Sequence, residues 1–211
     1  MKDNTMHETK LGSHNSLSGY RPLKRWMYPL NLFAKCQSKR LYSQYADGVS
    51  FFDLRFAKHE GKWYGAHGAI LYNITLEDVF EILGFLPNIH ARVLCEDTFY
   101  KSDADELSKL VDRYKGNVNV LYVRSKKTWN AAKEYPCNKE FHDINLCWNI
   151  PIYRIGDAKS IIWKYNNAIT GTAFVGCYSS TFIPMITAKI LNKVVRRREW
   201  KENEVPMIDF V

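Results

Sequence analysis

The sequence contains no run of about 18 apolar residues, the length a helix needs to cross a bilayer. Its opening residues, MKDNTMHETK, lack the apolar stretch of a signal peptide. Together these absences predict a protein that is cytoplasmic, or viral or exported by another route. No CxxC motif occurs. The cysteines, Cys36, Cys95, Cys137, Cys147 and Cys177, are odd in number and widely spaced. That argues against a disulfide framework or a zinc site and predicts reduced, buried thiols. No glycine-rich phosphate loop follows the first expected strand, which speaks against a nucleotide-binding sheet. Internal repeats, low-complexity segments and linkers are also missing, so one domain is expected over 1–211.

What is present suits a packed core: 46% of residues are hydrophobic and 14% aromatic. The net charge of +8 favours anionic partners. Part of it lies in VVRRREWK (194–201), which also reads as a solvated helix end where cations suit the helix dipole. No recognised nucleic-acid module accompanies it, so no nucleic-acid partner is expected.

Strand and helix patterns alternate about seven times. HETKLGS reads as a strand ending at His14. PLKRWMYPLNLFAK reads as irregular, interrupted by Pro29, and KRLYSQYADG as a helix closing on a glycine. VSFFDLRF and KWYGAHG read as strands joined through HEGK. TLEDVFEILGFL reads as a helix capped by Thr75. ARVLCED, VNVLYVRS, DINLCWN, TGTAFVGCY and VPMIDFV read as further strands. SDADELSKLVDRYKG, TWNAAKEY, DAKSIIWKYNNAI and FIPMITAKILNKVVRRREW read as helices.

Such alternation predicts an α/β fold with a mostly parallel sheet. Pattern alone fits both a doubly wound sheet and a closed barrel. Polar residues cluster at strand ends: His14, Asp53 and Arg55, Glu96 and Asp97, Arg124, Asp209. A barrel brings such ends to one mouth, whereas an open sheet spreads them along an edge.

His14 and His67 each stand among small residues that would let a substrate approach. Two imidazoles can act as general base and general acid near neutral pH; two unrelated histidines are the plainer alternative. Arg55 sits in the apolar strand FFDLRF, where an unpaired charge is costly. Asp53, two residues earlier, shares its sheet face. The pair is either structural or a guanidinium aimed at a phosphate and held by its carboxylate. Asp209, in apolar VPMIDFV, likewise wants a partner such as a histidine.

These pieces resemble the catalytic X-domain of phosphatidylinositol-specific phospholipases C, closer to the small bacterial enzymes than to the calcium-dependent eukaryotic ones. The resemblance rests on GSHNS (12–16), DGVSFFDLR (47–55), GAHG (65–68) with ITLEDVFEIL (74–83), and VPMIDFV (205–211), with Gln44 in the preceding helix. It implies a distorted, incompletely closed TIM-type (β/α) barrel of about seven to eight strands. It also implies a phosphodiesterase that cleaves a phospholipid headgroup. His14 matches the general base that activates the inositol 2-hydroxyl, and Asp209 the carboxylate orienting it. His67 matches the general acid, Arg55 the cation facing the phosphoryl oxygens, and Asp53 its acidic neighbour. The first product would be a cyclic phosphodiester.

Arg55 stands where eukaryotic members carry an acidic calcium ligand, so no metal cofactor is expected. Asn15 departs from the bacterial aspartate and matches a eukaryotic calcium ligand. Calcium held by Asn15, Asp53 and Glu96 is therefore the alternative. The resemblance implies substrate-contacting positions for Asn15, Glu96, Asp97 and Arg124; for Arg124 a place on the rim is the alternative. The segment 22–33 mixes Lys24 and Arg25 with aromatic and aliphatic residues and suits peripheral contact with a membrane; a helix packed on the barrel with its aromatics buried is the alternative. Two further readings keep the fold: an enzyme acting on a glycerophosphodiester or another headgroup, and a catalytically inert binding or structural module.

Overall fold

The computed structural model describes residues 10–123, strand segments within 137–178, scattered helical positions between 185 and 196, Trp200, and residues 204–211. Twelve strands are described. They are β1 (Leu11–Ser13), β2 (Val49–His59), β3 (Lys62–His67), β4 (Ile70–Thr75), β5 (His90–Cys95), β6 (Asn119–Val123), β7 (Cys137–His142), β8 (Asn149–Ile150), β9 (Tyr153–Arg154), β10 (Ser160–Asn166), β11 (Ala173–Tyr178) and β12 (Glu204–Ile208). The helices are α1 (Met27–Ala34), α2 (Leu41–Ala46), α3 (Leu76–Gly84) and α4 (Ala104–Tyr114).

One sheet runs β6-β5-β2-β1-β12-β11-β10-β7. Pairings from β6 through β11 are parallel, while β10 is antiparallel to both β11 and β7. Among the described residues no ladder joins β6 to β7, so hydrogen bonds do not close the sheet. The architecture is an incompletely closed α/β barrel. Along β2, β1 covers the first half of one edge and β3 pairs antiparallel with the second half, carrying β4 beside it. The β2–β3 turn uses left-handed Glu60 (φ 51°) and Gly61 (φ 78°), the pair of positive φ angles a tight hairpin demands.

The core forms where these strands meet the helices. Phe52, Leu54, Phe56, Val93 and Ile208 are buried with Leu76, Val79, Phe80 and Leu83 of α3. Thr75 caps α3 in a reciprocal capping box with Asp78. Asp103 caps α4 by accepting from the backbone N–H groups of Asp105 and Glu106. Glu106 ties α4 to the sheet, accepting from Lys58 Nζ at 2.7 Å and Trp63 Nε1 at 3.2 Å.

The structure departs from the sequence pattern in four places. Pro29 lies inside α1, at its third residue, where a backbone N–H has no helical partner to lose. Ile70–Thr75 form β4, an added strand on the hairpin. The segment DAKSIIWKYNNAI, expected as a helix, contains β10; β-branched Ile161 and Ile162 with Trp163 and Tyr165 favour extended backbone. The mostly parallel sheet holds only as far as β11, because β7 and β10 run antiparallel. The helix expected at 182–200 is seen at Met185, Ala188, Asn192, Lys193, Val195 and Arg196. TWNAAKEY, Arg124 and all of DINLCWN except Asn149 lie outside the described residues.

Among the described residues no helix is long and apolar enough to cross a membrane. Cys36 and Cys95 are free and buried.

Candidate active site

Parallel pairing of β1 between β12 and β2 places three chain ends side by side. The fit is tight: a Cβ on Gly12 would stand 2.7 Å from Met207 Cγ. His14 follows directly, its N–H bonded to Ile208 O at 2.9 Å. Asn15 then takes a left-handed conformation (φ 42°, ψ 60°), tolerated by asparagine, and turns the chain into a 3₁₀ turn at Ser16–Gly19.

The small residues around His14 have a different purpose from leaving room for a substrate. Ser13, Asn15, Ser16 and Ser18 are fully buried. Ser16 Oγ donates to Ser13 O and accepts from Asp53 N–H at 2.9 Å, binding the turn to β2. Ser18 Oγ donates to Asn15 O and accepts from the N–H groups of Cys36 and Gln37.

His14 is held at both ring nitrogens. Nδ1 lies 2.7 Å from Asp209 Oδ1, and Arg55 Nη2 lies 2.8 Å from Nε2. A guanidinium only donates, so Nε2 carries the lone pair and Nδ1 carries the proton bonded to Asp209. His14, Arg55 and Asp209 are each 5% exposed or less.

Asp53 is the electrostatic hub. Its Oδ2 accepts from Arg55 Nε (3.0 Å), Arg55 Nη2 (2.8 Å) and Asn15 N (3.1 Å). Its Oδ1 accepts from Arg92 Nε at 2.9 Å and lies 2.7 Å from Arg92 Nη2. Complete burial alone would raise this carboxyl, but Arg55 first, then Arg92 and His14, outweigh it and hold it well below the usual carboxylate range. The other terminal nitrogen of Arg55, Nη1, lies 3.7 Å from buried Glu96 Oε1.

His67 ends β3 before Gly68, whose φ of +57° favours glycine. Its Nδ1 donates to Ala34 O at 2.6 Å, directing Nε2 away from that carbonyl. The two imidazoles stand edge to face, centroids 6.2 Å apart at 85°. His14, Arg55, His67, Asp53, Glu96 and Asp209 thus converge at one end of the barrel.

Asn15 adjoins this group through its backbone. Its side chain is fully buried, with neither amide atom hydrogen-bonded among the described residues. Asp97 instead lines a neighbouring recess with residues 98–102.

Sequence reasoning passed over three contributors. Arg92 carries the same signal that exposed Arg55, a cation in an apolar strand, ARVLC. Gln37 Nε2 bonds both His14 O and Ile208 O at 2.9 Å, fastening His14 to β12. Cys36 Sγ lies 3.9 Å from His67 Nδ1, and Cys36 O accepts from Phe210 N–H at 2.6 Å. Nothing local in KCQSK marks either residue.

At the same mouth, α1 buries only Met27. Trp26, Tyr28, Leu30, Leu32 and Phe33 are 46–65% exposed. The alternative of a helix with buried aromatics does not hold.

Fold and site geometry together define an open α/β barrel with a paired-histidine, arginine-centred mouth. Solved structures of bacterial phosphatidylinositol-specific phospholipases C share this fold. A variant of the Staphylococcus aureus enzyme superposes with a TM-score of 0.53 at 14% identity, over 95% of this chain and 85% of that one. A pentafluoro-phenylalanine form of the same enzyme gives 0.50 at 15% identity, over 97% and 87%. The Listeria monocytogenes enzyme matches at 18% identity and a TM-score of 0.41, over 55% of this chain and 50% of that one. No family model and no curated protein matches the sequence.

Proposed function

We propose that the protein is a phosphodiesterase of the phospholipase C type that cleaves a phospholipid headgroup by intramolecular attack. The observation that carries this reading is the double hold on His14. A carboxylate fixes its Nδ1 proton, and a guanidinium stands at Nε2, where a substrate hydroxyl and phosphoryl oxygen would meet. The hydroxyl takes the place of Arg55 Nη2 on Nε2 and gives its proton to His14, and Asp209 stabilises the imidazolium that forms. Arg55, displaced by little and steered by Asp53, faces the phosphoryl oxygens as negative charge develops. His67, with Nδ1–H anchored on Ala34 O, delivers a proton from Nε2 to the leaving alkoxide. A cyclic phosphodiester and a diacylglycerol result.

The same geometry supports metal-independent chemistry. Both Asp53 oxygens are occupied by guanidinium donors, and Arg55 stands between Asp53 and Glu96. Calcium bridging Asn15, Asp53 and Glu96 would have to displace a cation already there. The exposed apolar face of α1 and its preceding turn, with Arg25 beside it, suits contact with the interfacial zone of a membrane.

The test is a panel of phosphatidylinositol, phosphatidylcholine, glycerophosphodiester and chromogenic inositol phosphodiester substrates in EDTA, with wild type and His14→Ala. Cleavage of an inositol phosphodiester that His14→Ala abolishes supports the reading. Cleavage restricted to another headgroup reassigns the substrate. Equal inertness of wild type and variant across the panel refutes it.

A further inference from the structure

The chemistry above leaves the buried Cys36 thiol unused. It lies beside the catalytic dyad: ligand atoms of His14, Cys36 and Asp209 all fall within 4.8 Å of one another, and all three residues are buried. We propose that these three side chains form a binding site for a thiophilic divalent cation of the zinc class, and that occupancy shuts the enzyme off. The inhibitory half of this proposal rests on His14 acting as the base; the binding half does not.

The donor set fits such an ion. Thiolate, imidazole and carboxylate are the three ligand types zinc takes, at about 2.3, 2.0 and 2.1 Å. Ligands at those lengths stand roughly 3–4 Å apart around a tetrahedral ion, so closing the cluster needs shifts of only about 1 Å. The fourth position is left to water. Spacing rules for zinc motifs could not register this site, because its ligands come from three distant stretches: the end of β1, the loop after α1 and the chain after β12.

The Cys36 segment is also held in place. Its N–H bonds Ser18 Oγ at 3.0 Å, and its carbonyl accepts from Phe210 N–H, next to Asp209. The thiol is therefore fixed in position rather than on a mobile loop. Without metal it is a poor nucleophile, because burial foremost, and then Asp209, push its ionisation well above the ordinary range. Cation binding reverses that preference: the thiol releases its proton to solvent and binds as thiolate.

Inhibition follows from the tautomer. The Nδ1 proton of His14 is bonded to Asp209. A cation taken up at Nδ1 moves the ring proton to Nε2, the nitrogen that must accept one from the substrate. Asp209 becomes a ligand instead of a partner to the imidazolium. Arg55 Nη2, now facing an N–H, loses its contact with the ring and keeps only Asp53 Oδ2 as acceptor.

The experiment is a Co2+ titration of the metal-free chain, followed by ultraviolet and visible absorption, with no substrate present. Wild type and Cys95→Ser should show one equivalent of ion with a sulfur-to-cobalt charge-transfer band. Cys36→Ser, or Cys36→Ala if the serine variant does not fold, should lose the band and bind about 100-fold or more weakly. Absence of the band in wild type, or its persistence in the Cys36 variants, overturns the site. Zn2+ should then slow cleavage by wild type, with the Cys36 variants about 100-fold less sensitive relative to their own uninhibited rates. A charge-transfer band without inhibition of an active enzyme overturns the shut-off while leaving the site. An inactive wild type that still binds Co2+ through Cys36 refutes the phosphodiesterase reading alone.

Discussion

Arg55 Nη2 stands 2.8 Å from Nε2 of His14, so a fixed cation faces the basic nitrogen of a buried imidazole. That contact is tolerable only because Arg55 is itself held by Asp53 and His14 carries its proton on the opposite side, towards Asp209. Arg55→Lys keeps a charge but loses the planar fork that spans Asp53 and His14. It should lower kcat by on the order of 10²–10³-fold with little change in KM, as expected for a group that acts on charge developing in the transition state. Steady-state kinetics on a soluble inositol phosphodiester would check this; an equal loss in KM alone would assign Arg55 to ground-state binding.

Asp209→Asn should leave the fold intact and lower kcat while shifting its pH profile. The amide can offer Nδ2–H to His14 and favour the wrong tautomer. A drop approaching the 10²–10⁴-fold associated with a lost general base is expected, read from kcat against pH beside His14→Ala. Unchanged kcat would remove Asp209 from the machinery.

Asp53 gives stability a distinct acid limb. Its folded-state ionisation is held below the ordinary value, so its contribution is present in full above about pH 4. As pH falls below that, the unfolded chain takes up a proton that the folded chain resists, and stability declines. Asp53→Asn should therefore be less stable at neutral pH yet show a shallower decline from pH 4 downwards. Urea midpoints across that range measure the difference in slope.

Arg92 supports Asp53 through its Nε and Nη2 atoms. Arg92→Met leaves half of a buried carboxylate without its cation. Breaking one side of a buried pair costs about 3–5 kcal/mol, so a clear fall in thermal midpoint is expected. Arg92→Lys should recover only part of it, because one ammonium cannot reproduce the paired Nε and Nη2 contacts.

Trp26→Ser combined with Leu32→Ser should weaken binding to anionic lipid vesicles by roughly 10- to 100-fold, the scale set by two exposed apolar side chains. Turnover of a soluble substrate should be unaffected. Vesicle sedimentation beside a soluble-substrate assay separates the two; equal losses in both would place these residues in the barrel rather than at the membrane.

Much of the site was legible because burial makes charge conspicuous. Arg55 and Asp53 stood out in an apolar strand, Asp209 in another, and the two histidines at strand ends. Arg92 obeyed the same rule and was passed over because a single cation in ARVLC draws less notice than a charged pair. Cys36 was legible only as a reduced, buried thiol, and Gln37 not at all. Their roles depend on the loop after α1 folding back against β1 and β12, a tertiary event without local periodicity. The α/β class was legible from strand and helix alternation and the barrel from polar residues clustered at strand ends, whereas the antiparallel pairing of β7 with β10 was not. SIIWKYN supports a helical pattern as readily as a strand until neighbouring strands supply hydrogen-bond partners. Pro29 misled in the opposite way, since proline breaks a helix interior but not its first turn.

The central claim is that His14 activates a hydroxyl on the substrate itself. Phosphorus nuclear magnetic resonance of phosphatidylinositol incubated with the protein in EDTA tests this most directly. The account predicts a cyclic inositol phosphodiester as the first signal to appear, absent with His14→Ala. No turnover by either protein, or a linear phosphate monoester formed first and equally by both, would contradict it.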